Sequence, residues 1–118
     1  MIRGYIRVST KRQEYGTSLD EQRQLLEAEG CQKFYEDVIT GTKMQRPEFD
    51  RMCHEVQSGD MLVFTKMDRF ARTETEAYEK IQSWMQQGIK VRILNIGAIE
   101  DTEVGRLILE VVPIKEIW

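Results

Sequence analysis

The sequence predicts an α/β fold, in which a mostly parallel sheet of four or five strands carries helices on both faces. Short apolar segments alternate with longer segments of helical periodicity, in the repeated order strand then helix. The connections are short, so each helix serves as the crossover that consecutive parallel strands require. The third strand, 61–65, is almost wholly apolar, which is typical of a strand covered on both faces.

The first strand is predicted over 2–8 and the first helix over 19–29. Ser18 reads as the N-cap of this helix, and Glu21 completes a capping box with it. Gly30 is a suitable C-terminal stop. We expect three leucines to form the buried face of the helix: Leu19, Leu25 and Leu26.

The second strand, 33–38, leads through a polar loop to a helix that begins at Pro47 and reaches about residue 57. Proline suits the first turn of a helix, where no intrahelical donor is needed. Apolar residues at helical spacing form the predicted buried stripe of this helix: Phe49, Met52, Cys53 and Val56.

The third helix is predicted to begin near Asp68 or Phe70 and to run to Gln87. Its predicted core face consists of Phe70, Ala77, Ile81, Trp84 and Met85. A fourth strand, 89–95, and a segment of helical periodicity from Val104 complete the chain. Pro113 should break or kink this last helix, because it removes a backbone donor.

Composition excludes several classes of protein. The 118 residues are 41% hydrophobic and 31% charged, which is typical of an ordinary globular domain and not of a disordered chain. No apolar run approaches the roughly 20 residues that span a bilayer, and we expect neither a signal peptide nor a membrane partner. The sequence contains two cysteines and one histidine, too few for a zinc site. We therefore expect no metal, reduced structural cysteines and a cytoplasmic protein.

The net charge of −3 argues against a large nucleic-acid footprint on this domain by itself. Positive charge is nevertheless concentrated locally, and residues 1–13 contain no acid but four basic residues: Arg3, Arg7, Lys11 and Arg12. Such a pattern fits a site for a few phosphates better than a surface that wraps a duplex.

Arg7 and Ser9 share one face of the first strand, with Arg3 and Tyr5, because side chains alternate along a strand. They stand at its carboxyl end, where open α/β sheets bind ligands. A hydroxyl beside a guanidinium, which keeps its charge, suits chemistry on a phosphate. The alternative is a structural arginine followed by a serine that caps a turn.

Arg69 and Arg72 follow the third strand and, if helical, lie on one face with Asp68 close enough to orient Arg72. Cations are unfavourable in the first turn of a helix unless an anion is bound there. The arginines therefore indicate a phosphate site, although two solvated arginines tethered by Asp68 would show the same pattern.

Three further residues lie on nearby segments. Arg46 precedes the second helix, Asp37 ends the second strand, and Gln22 is in the first turn of the first helix. Taken singly, Arg46 is typical of a surface arginine, and Gln22 is typical of a solvated side chain. Asp37 could be a structural acid in a turn or a partner for one of the arginines. Converging at one sheet edge with Ser9, the arginines would stabilise the charge that develops when a serine attacks a phosphodiester. No general base is evident, and with one histidine a Ser-His-Asp triad is excluded.

Together these motifs resemble the catalytic domain of the serine recombinases, the resolvase/invertase family, in order and spacing over about residues 2–111. They are Tyr5-Ile6-Arg7-Val8-Ser9-Thr10, Ser18-Leu19-Asp20-Glu21-Gln22, Asp37 with Gly41, Arg46-Pro47, Gly59-Asp60 and Asp68-Arg69-Phe70-Ala71-Arg72. The family usually has Leu-Gly where this chain has Phe70-Ala71, a change that keeps both arginines.

The resemblance implies site-specific DNA recombination without metal or cofactor. Ser9 would be the nucleophile that forms a 5′-phosphoserine link. The arginines that would bind the scissile phosphate are Arg7, Arg46, Arg69 and Arg72. The residues that would shape the site are Tyr5, Thr10, Gln22, Asp37 and Asp68.

The resemblance also implies assembly as a dimer or tetramer on DNA. It divides the chain into a catalytic domain, 1–100, and the start of an oligomerisation helix, 101–118, with no DNA-binding domain. Pro113 and the short tail would weaken assembly through 101–112, and the chain alone would bind DNA weakly. Two alternatives remain: a non-catalytic dimerisation module derived from a recombinase, and a small phosphate-binding hydrolase that uses the same cleft.

Overall fold

Five strands form a single sheet in the computed structural model of this chain, which describes residues 1–9, 19–39, 46–66, 69–71, 73–94 and 97–99. In chain order the elements are β1 (Ile2–Ser9), α1 (Leu19–Ala28), β2 (Lys33–Ile39), α2 (Pro47–Glu55), β3 (Met61–Phe64), α3 (Glu74–Gln86), β4 (Lys90–Ile93) and β5 (Gly97–Ile99). The strands lie in the order β2-β1-β3-β4-β5, and only β5 pairs antiparallel. The predicted α/β fold is confirmed.

Side chains alternate between the two faces of β1 and so belong to two separate hydrophobic cores. Tyr5 belongs to the larger core, between the sheet and the helices α2 and α3, whereas Ile6 and Val8 pack with Leu26 of α1 on the opposite face. This division follows from chain topology. The chain leaves β1 toward β2 and returns past β1 to β3, so right-handed crossovers place α1 and α2 on opposite faces.

The third helix begins later than the sequence predicted. Thr73 is its N-cap, and the Thr73 hydroxyl accepts a hydrogen bond from the Glu76 N–H at 3.1 Å. Phe70 is fully buried, but it contributes to the core from the connection before α3. Arg69 precedes α3 and is not on a face of that helix, so the prediction that Arg69 shares a helical face with Arg72 is wrong.

Two apolar side chains are more exposed than the sequence predicted. Leu25 of α1 is 47% exposed, because Leu26 and Gln22, four positions apart, form the buried face instead. Cys53 of α2 is also exposed, while Phe49 and Met52 are buried. The buried stripe of each helix is thus narrower than its apolar pattern, because one sheet surface covers only part of a helix.

The remaining predictions concern the last strand, the chain segments beyond the described residues and the cysteines. The antiparallel β5 had no counterpart in the predicted order of elements, and its three residues are too short for a periodic signal. The cap at Ser18 and the helix from Val104 lie outside the described residues. Cys31 and Cys53 are not joined in a disulfide.

A network of charged and polar side chains occupies the amino end of the sheet. Arg3 donates from Nε to Asp60 Oδ2 at 3.0 Å and from Nη1 to the Tyr35 hydroxyl at 2.7 Å. The α-amino group of Met1 pairs with Asp60 Oδ1 at 3.1 Å. Glu55 accepts from both Lys33 and Tyr35 at 2.6 Å. Arg3 is thus a structural residue and does not belong to the phosphate site suggested by the basic residues of 1–13.

Candidate active site

A crevice for a ligand is expected where the strand order reverses, between β1 and β3 at their carboxyl ends. The register aligns Gly4 with Val63, so Tyr5 is level with the last residue of β3. Ser9, the last residue of β1, therefore projects about 13 Å farther along the strand direction. Beyond β3, β1 keeps its pairing with β2 up to Ser9 and Ile39. The end of β1 thus stands at the reversal point of the sheet.

Asp37 lies beside Arg7 in the register of β1 and β2. Its carboxylate is buried and accepts three hydrogen bonds: from the Tyr5 hydroxyl at 2.9 Å, from the Glu48 N–H at 3.1 Å and from the Phe49 N–H at 3.0 Å. Asp37 therefore caps the N-terminus of α2 with a side chain from β2. The sequence left Asp37 as either a structural acid or a partner for an arginine. The structure shows the structural role, at a position beside Arg7.

The Tyr5 hydroxyl lies among the charged groups of this edge. Burial raises the pKa of Tyr5 above its ordinary value, the charge of Asp37 acts in the same direction, and Arg46 and Arg7 act against it. Tyr5 therefore stays protonated at neutral pH, as a hydrogen-bond donor. Arg7 is level with Asp37 in the sheet, and Arg46 directly precedes the helix turn that Asp37 caps, so both positions flank the carboxylate that accepts from the Tyr5 hydroxyl.

Arg46 is held by α3, by the connection before it and by α2. Its Nη1 donates to the Phe70 carbonyl at 2.5 Å, and its Nη2 pairs with Glu76 Oε1 at 3.3 Å. The guanidinium carbon lies 4.4 Å from the centre of the Phe49 ring. With only 12% of its side chain exposed, Arg46 is not the surface arginine that its local sequence suggests.

Arg69 lies in the short connection between β3 and α3. Its N–H bonds the Lys66 carbonyl at 3.2 Å, and the next residue, Phe70, packs its ring 4.3 Å from that of Phe64. Phe70 thus anchors the segment that carries Arg69. Because the Phe70 carbonyl also binds Arg46, one residue connects the two arginine-bearing segments.

Gln22 is fully buried, which corrects the expectation of a solvated side chain. Its Nε2 donates to the backbone carbonyl of Arg7 at 3.3 Å. The bond connects α1 to the end of β1 from the face opposite α2. Gln22 thereby contacts the strand that carries Arg7 and Ser9.

The structure brings together five of the residues that the sequence singled out: Tyr5, Arg7, Gln22, Asp37 and Arg46. Thr10, Asp68, Arg72 and the side chain of Ser9 lie outside the described part of the chain. Sequence reasoning missed Glu76. The pattern Thr73-x-x-Glu76 places it in the first turn of α3, but nothing local connects it to Arg46. Within the described ranges, no group of three or more His, Cys, Asp or Glu residues could hold a metal ion.

The family model described as "Resolvase, N terminal domain" matches residues 2–114, nearly the whole chain. The chain belongs to this resolvase family. The serine recombinase Gin of Escherichia phage Mu is 33% identical over 111 residues, which cover 94% of this chain and 55% of Gin. The DNA-invertase of Escherichia phage P1 is 34% identical over 111 residues, covering 94% of this chain and 58% of the invertase.

The fold of this resolvase-family chain is also that of a solved relative. The N-terminal catalytic domain of TP901-1 integrase superimposes with a TM-score of 0.66 at 25% identity, covering 98% of this chain and 92% of that domain. The chain spans only about half the length of the curated relatives it matches. No helix in the described part is long and apolar enough to cross a membrane.

Proposed function

We propose that this chain is the catalytic domain of a site-specific DNA recombinase that cleaves and rejoins DNA strands through a 5′-phosphoserine intermediate at Ser9. The observation that carries the proposal is the position of Ser9: it ends β1, two residues after Arg7, at the point where the sheet order reverses. Membership in the resolvase family and relatives named as recombinases and invertases support the proposed chemistry.

In the proposed step the Ser9 oxygen attacks the phosphorus of a DNA phosphodiester. A bond forms between the serine oxygen and phosphorus, the bond from phosphorus to the 3′-oxygen breaks, and that oxygen takes up a proton to leave as a 3′-hydroxyl. Attack of a 3′-hydroxyl on the phosphoserine reverses the step and rejoins a strand.

We propose that the guanidinium groups of Arg7, Arg46, Arg69 and Arg72 bind the non-bridging oxygens of this phosphate. Charge builds up on these oxygens in the transition state, and fixed cationic donors stabilise it without reorganisation. Bidentate contacts from arginine suit the planar pairs of oxygens on a phosphate. Tyr5, Thr10, Gln22, Asp37 and Asp68 are proposed to shape the site around them.

The proposed division of the chain is a catalytic unit at 1–100 and the start of an oligomerisation helix at 101–118. DNA is the proposed partner, bound weakly by this chain alone because its net charge is −3. We propose assembly as a dimer or tetramer through 101–112, and a cytoplasmic location.

A covalent trapping assay tests the proposal. The 118-residue chain is fused to a sequence-specific DNA-binding module and mixed with a nicked duplex that carries the module's half-sites. We expect a protein–DNA adduct on a denaturing gel, resistant to heat and detergent, with a free 3′-hydroxyl on the released strand. Ser9→Ala should abolish the adduct.

Ser83→Ala is the matched control, because Ser83 is an exposed residue of α3. It should form adduct as the wild type does. Adduct formation by Ser9→Ala would contradict the proposed nucleophile. A fusion that is folded and bound to its site but forms no adduct would favour a non-catalytic interaction module. Turnover of a small phosphoester that requires Ser9 but leaves no DNA adduct would indicate a hydrolase.

A further inference from the structure

The Arg46 guanidinium is contacted on several sides by groups of the chain itself. The Phe70 carbonyl accepts from Nη1, the Glu76 carboxylate pairs with Nη2, and the ring of Phe49 lies against one face. Phe49 and Phe70 are fully buried core residues, so the ring and the carbonyl are fixed by packing. Glu76 is the charged member of this set, with 29% of its side chain exposed.

The backbone of Glu76 is fixed in turn by the first turn of α3. Its N–H donates to the hydroxyl of Thr73, the N-cap of the helix, at 3.1 Å. The side chain of Glu76 therefore extends from a fixed backbone position. Its carboxylate pairs with Arg46, 30 residues earlier in the chain. The contact joins the N-terminus of α2 to the N-terminus of α3.

These contacts leave donors on Arg46 for a second ligand. A guanidinium has five N–H groups, and the two hydrogen bonds to Phe70 and Glu76 use one each. By this count, the two partners seen in the described part of the chain do not use all the donors that Arg46 could offer a phosphate. An arginine held in this way loses less side-chain entropy when it binds than a mobile one does.

We propose that Glu76 is a positioning residue, which holds the Arg46 guanidinium in one orientation before the scissile phosphate arrives. This inference rests on the proposed function for the identity of the ligand, but the orienting effect belongs to the free chain. The opposite role would be competition, in which Glu76 must release Arg46 before phosphate can bind. The two roles predict opposite effects of removing the carboxylate.

The first measurement concerns the free chain and needs no DNA. Nuclear magnetic resonance follows the Nε–H group of Arg46, assigned by its loss in Arg46→Lys. In the wild type we expect a rigid group. In Glu76→Ala the order parameter should fall below about 0.6, the range of flexible groups. Glu76→Gln keeps an acceptor at the same place and should preserve most of the order.

Glu79→Gln is the matched control, since Glu79 is an exposed residue of the same helix. It should leave the Arg46 signal unchanged. The signal of the exposed Arg51, which pairs with Glu48, should not respond to any of these variants. An Arg46 group as rigid in Glu76→Ala as in the wild type would overturn the proposal.

The second measurement is single-turnover adduct formation by the fusion at saturating protein. We expect Glu76→Ala to slow adduct formation about ten- to a hundredfold, because a displaced group misses the geometry of the transition state. Glu76→Gln should lose only about two- to fivefold, since a neutral hydrogen bond replaces a charged one. The protein concentration for half-saturation should not rise in either variant.

A merely structural role for Glu76 would lower the unfolding temperature without separating Gln from Ala in rate. That result, or faster adduct formation by Glu76→Ala, would overturn the proposal. If the wild-type fusion binds its site and forms no adduct, the proposed function fails. The mobility of Arg46 in the free chain then still decides whether Glu76 orients it.

Discussion

The Asp37 carboxylate connects three segments of the chain at the level of single atoms. Asp37 lies near the carboxyl end of β2. Its carboxylate accepts hydrogen bonds from the Tyr5 hydroxyl of β1 and from two backbone N–H groups in the first turn of α2. Arg46 immediately precedes that turn. The carboxylate that fixes the start of α2 therefore also fixes the backbone position of Arg46. A buried acceptor with several donors is costly to lose, because the donors are left without partners.

Replacement of Asp37 should therefore destabilise the fold, because its buried carboxylate joins β2 to the core residues Tyr5 and Phe49. We expect Asp37→Asn to lower the free energy of unfolding by about 2 kcal/mol, since it removes the charge at the helix N-terminus and turns an amide N–H₂ toward donors. Tyr5→Phe should cost about 1 kcal/mol in the wild type and less in the Asp37→Asn background. Urea denaturation measures all three variants.

Asp50→Asn is the control for Asp37→Asn, because Asp50 is an exposed acid in the same first turn of α2. It should change the free energy of unfolding by less than about 0.5 kcal/mol. Equal losses for the two variants would contradict a special role for Asp37.

At the scale of elements, the approach of α1 to β1 depends on Gly4. A Cβ at this position would lie 2.9 Å from Leu26 Cδ1 and 3.0 Å from Cys31 Sγ. Both neighbours belong to the smaller core, on the α1 face of the sheet. The helix therefore lies closer to the strand than a side chain at position 4 would allow. Gln22 reaches the Arg7 carbonyl from this closely packed helix.

Gly4→Ala should force α1 away from β1. We expect a loss of about 1–3 kcal/mol in the free energy of unfolding, the usual cost of overpacking a core. Leu26→Val removes Cδ1 without emptying the site, so Gly4→Ala should cost at least about 1 kcal/mol less in that background. Chemical denaturation of the two single variants and the double variant measures this coupling. Strictly additive losses would show that the close contact with Leu26 is not the cause.

At the scale of the whole molecule, the two ends of the sheet carry different charged groups. The amino end holds the network of Arg3, Asp60, Tyr35, Glu55 and Lys33, whereas the carboxyl end holds the candidate active site. Every charged side chain of the first network has partners within it. We therefore assign that end to stability, and the candidate active site lies at the opposite end.

The acidic members of this network predict the pH dependence of stability. Hydrogen bonds from Lys33 and then Tyr35 lower the pKa of Glu55 from 4.5 to about 2. Burial acts to raise the pKa of Asp60, but bonds from the Gln57 N–H, Arg3 and the α-amino group bring it below its ordinary value. Because both folded-state pKa values are lowered, both carboxylates stabilise the fold above their unfolded pKa values. This stabilisation is lost as the pH falls.

Glu55→Gln should reduce the acid sensitivity of the fold between pH 4.5 and about 2. The difference in free energy of unfolding between wild type and variant should be constant above about pH 5.5 and shrink as Glu55 becomes protonated. Urea denaturation at a series of pH values measures it. Some acid sensitivity should remain in the variant, because Asp60 keeps its partners.

Glu79→Gln serves as the control, since Glu79 is exposed on α3 and outside the network. Its stability should follow that of the wild type at every pH. A constant difference between wild type and Glu55→Gln down to pH 2 would contradict the assignment.

The sequence by itself determined the order of the elements from β1 to β4, the mostly parallel sheet, the two faces of β1 and the resemblance to the serine recombinases. These features depend on alternation along a strand, on helical spacing and on helix stops, all of which act within one element. It also singled out Arg7, Arg46 and Asp37 as site residues. It could not show that Asp37 caps α2 or that Gln22 is buried, because both depend on a partner in another element.

The tertiary structure alone decided how the arginine-bearing segments are held. Arg46 meets the Phe70 carbonyl 24 residues later and Glu76 30 residues later, and these contacts join two successive crossovers of the chain. Phe70 packs into the core from the connection before α3, and the helix begins at Glu74 after its N-cap Thr73, although the apolar periodicity includes residue 70. Local patterns report what a segment prefers. Which segments meet at one edge of the sheet follows from the order of its strands and the packing of its helices.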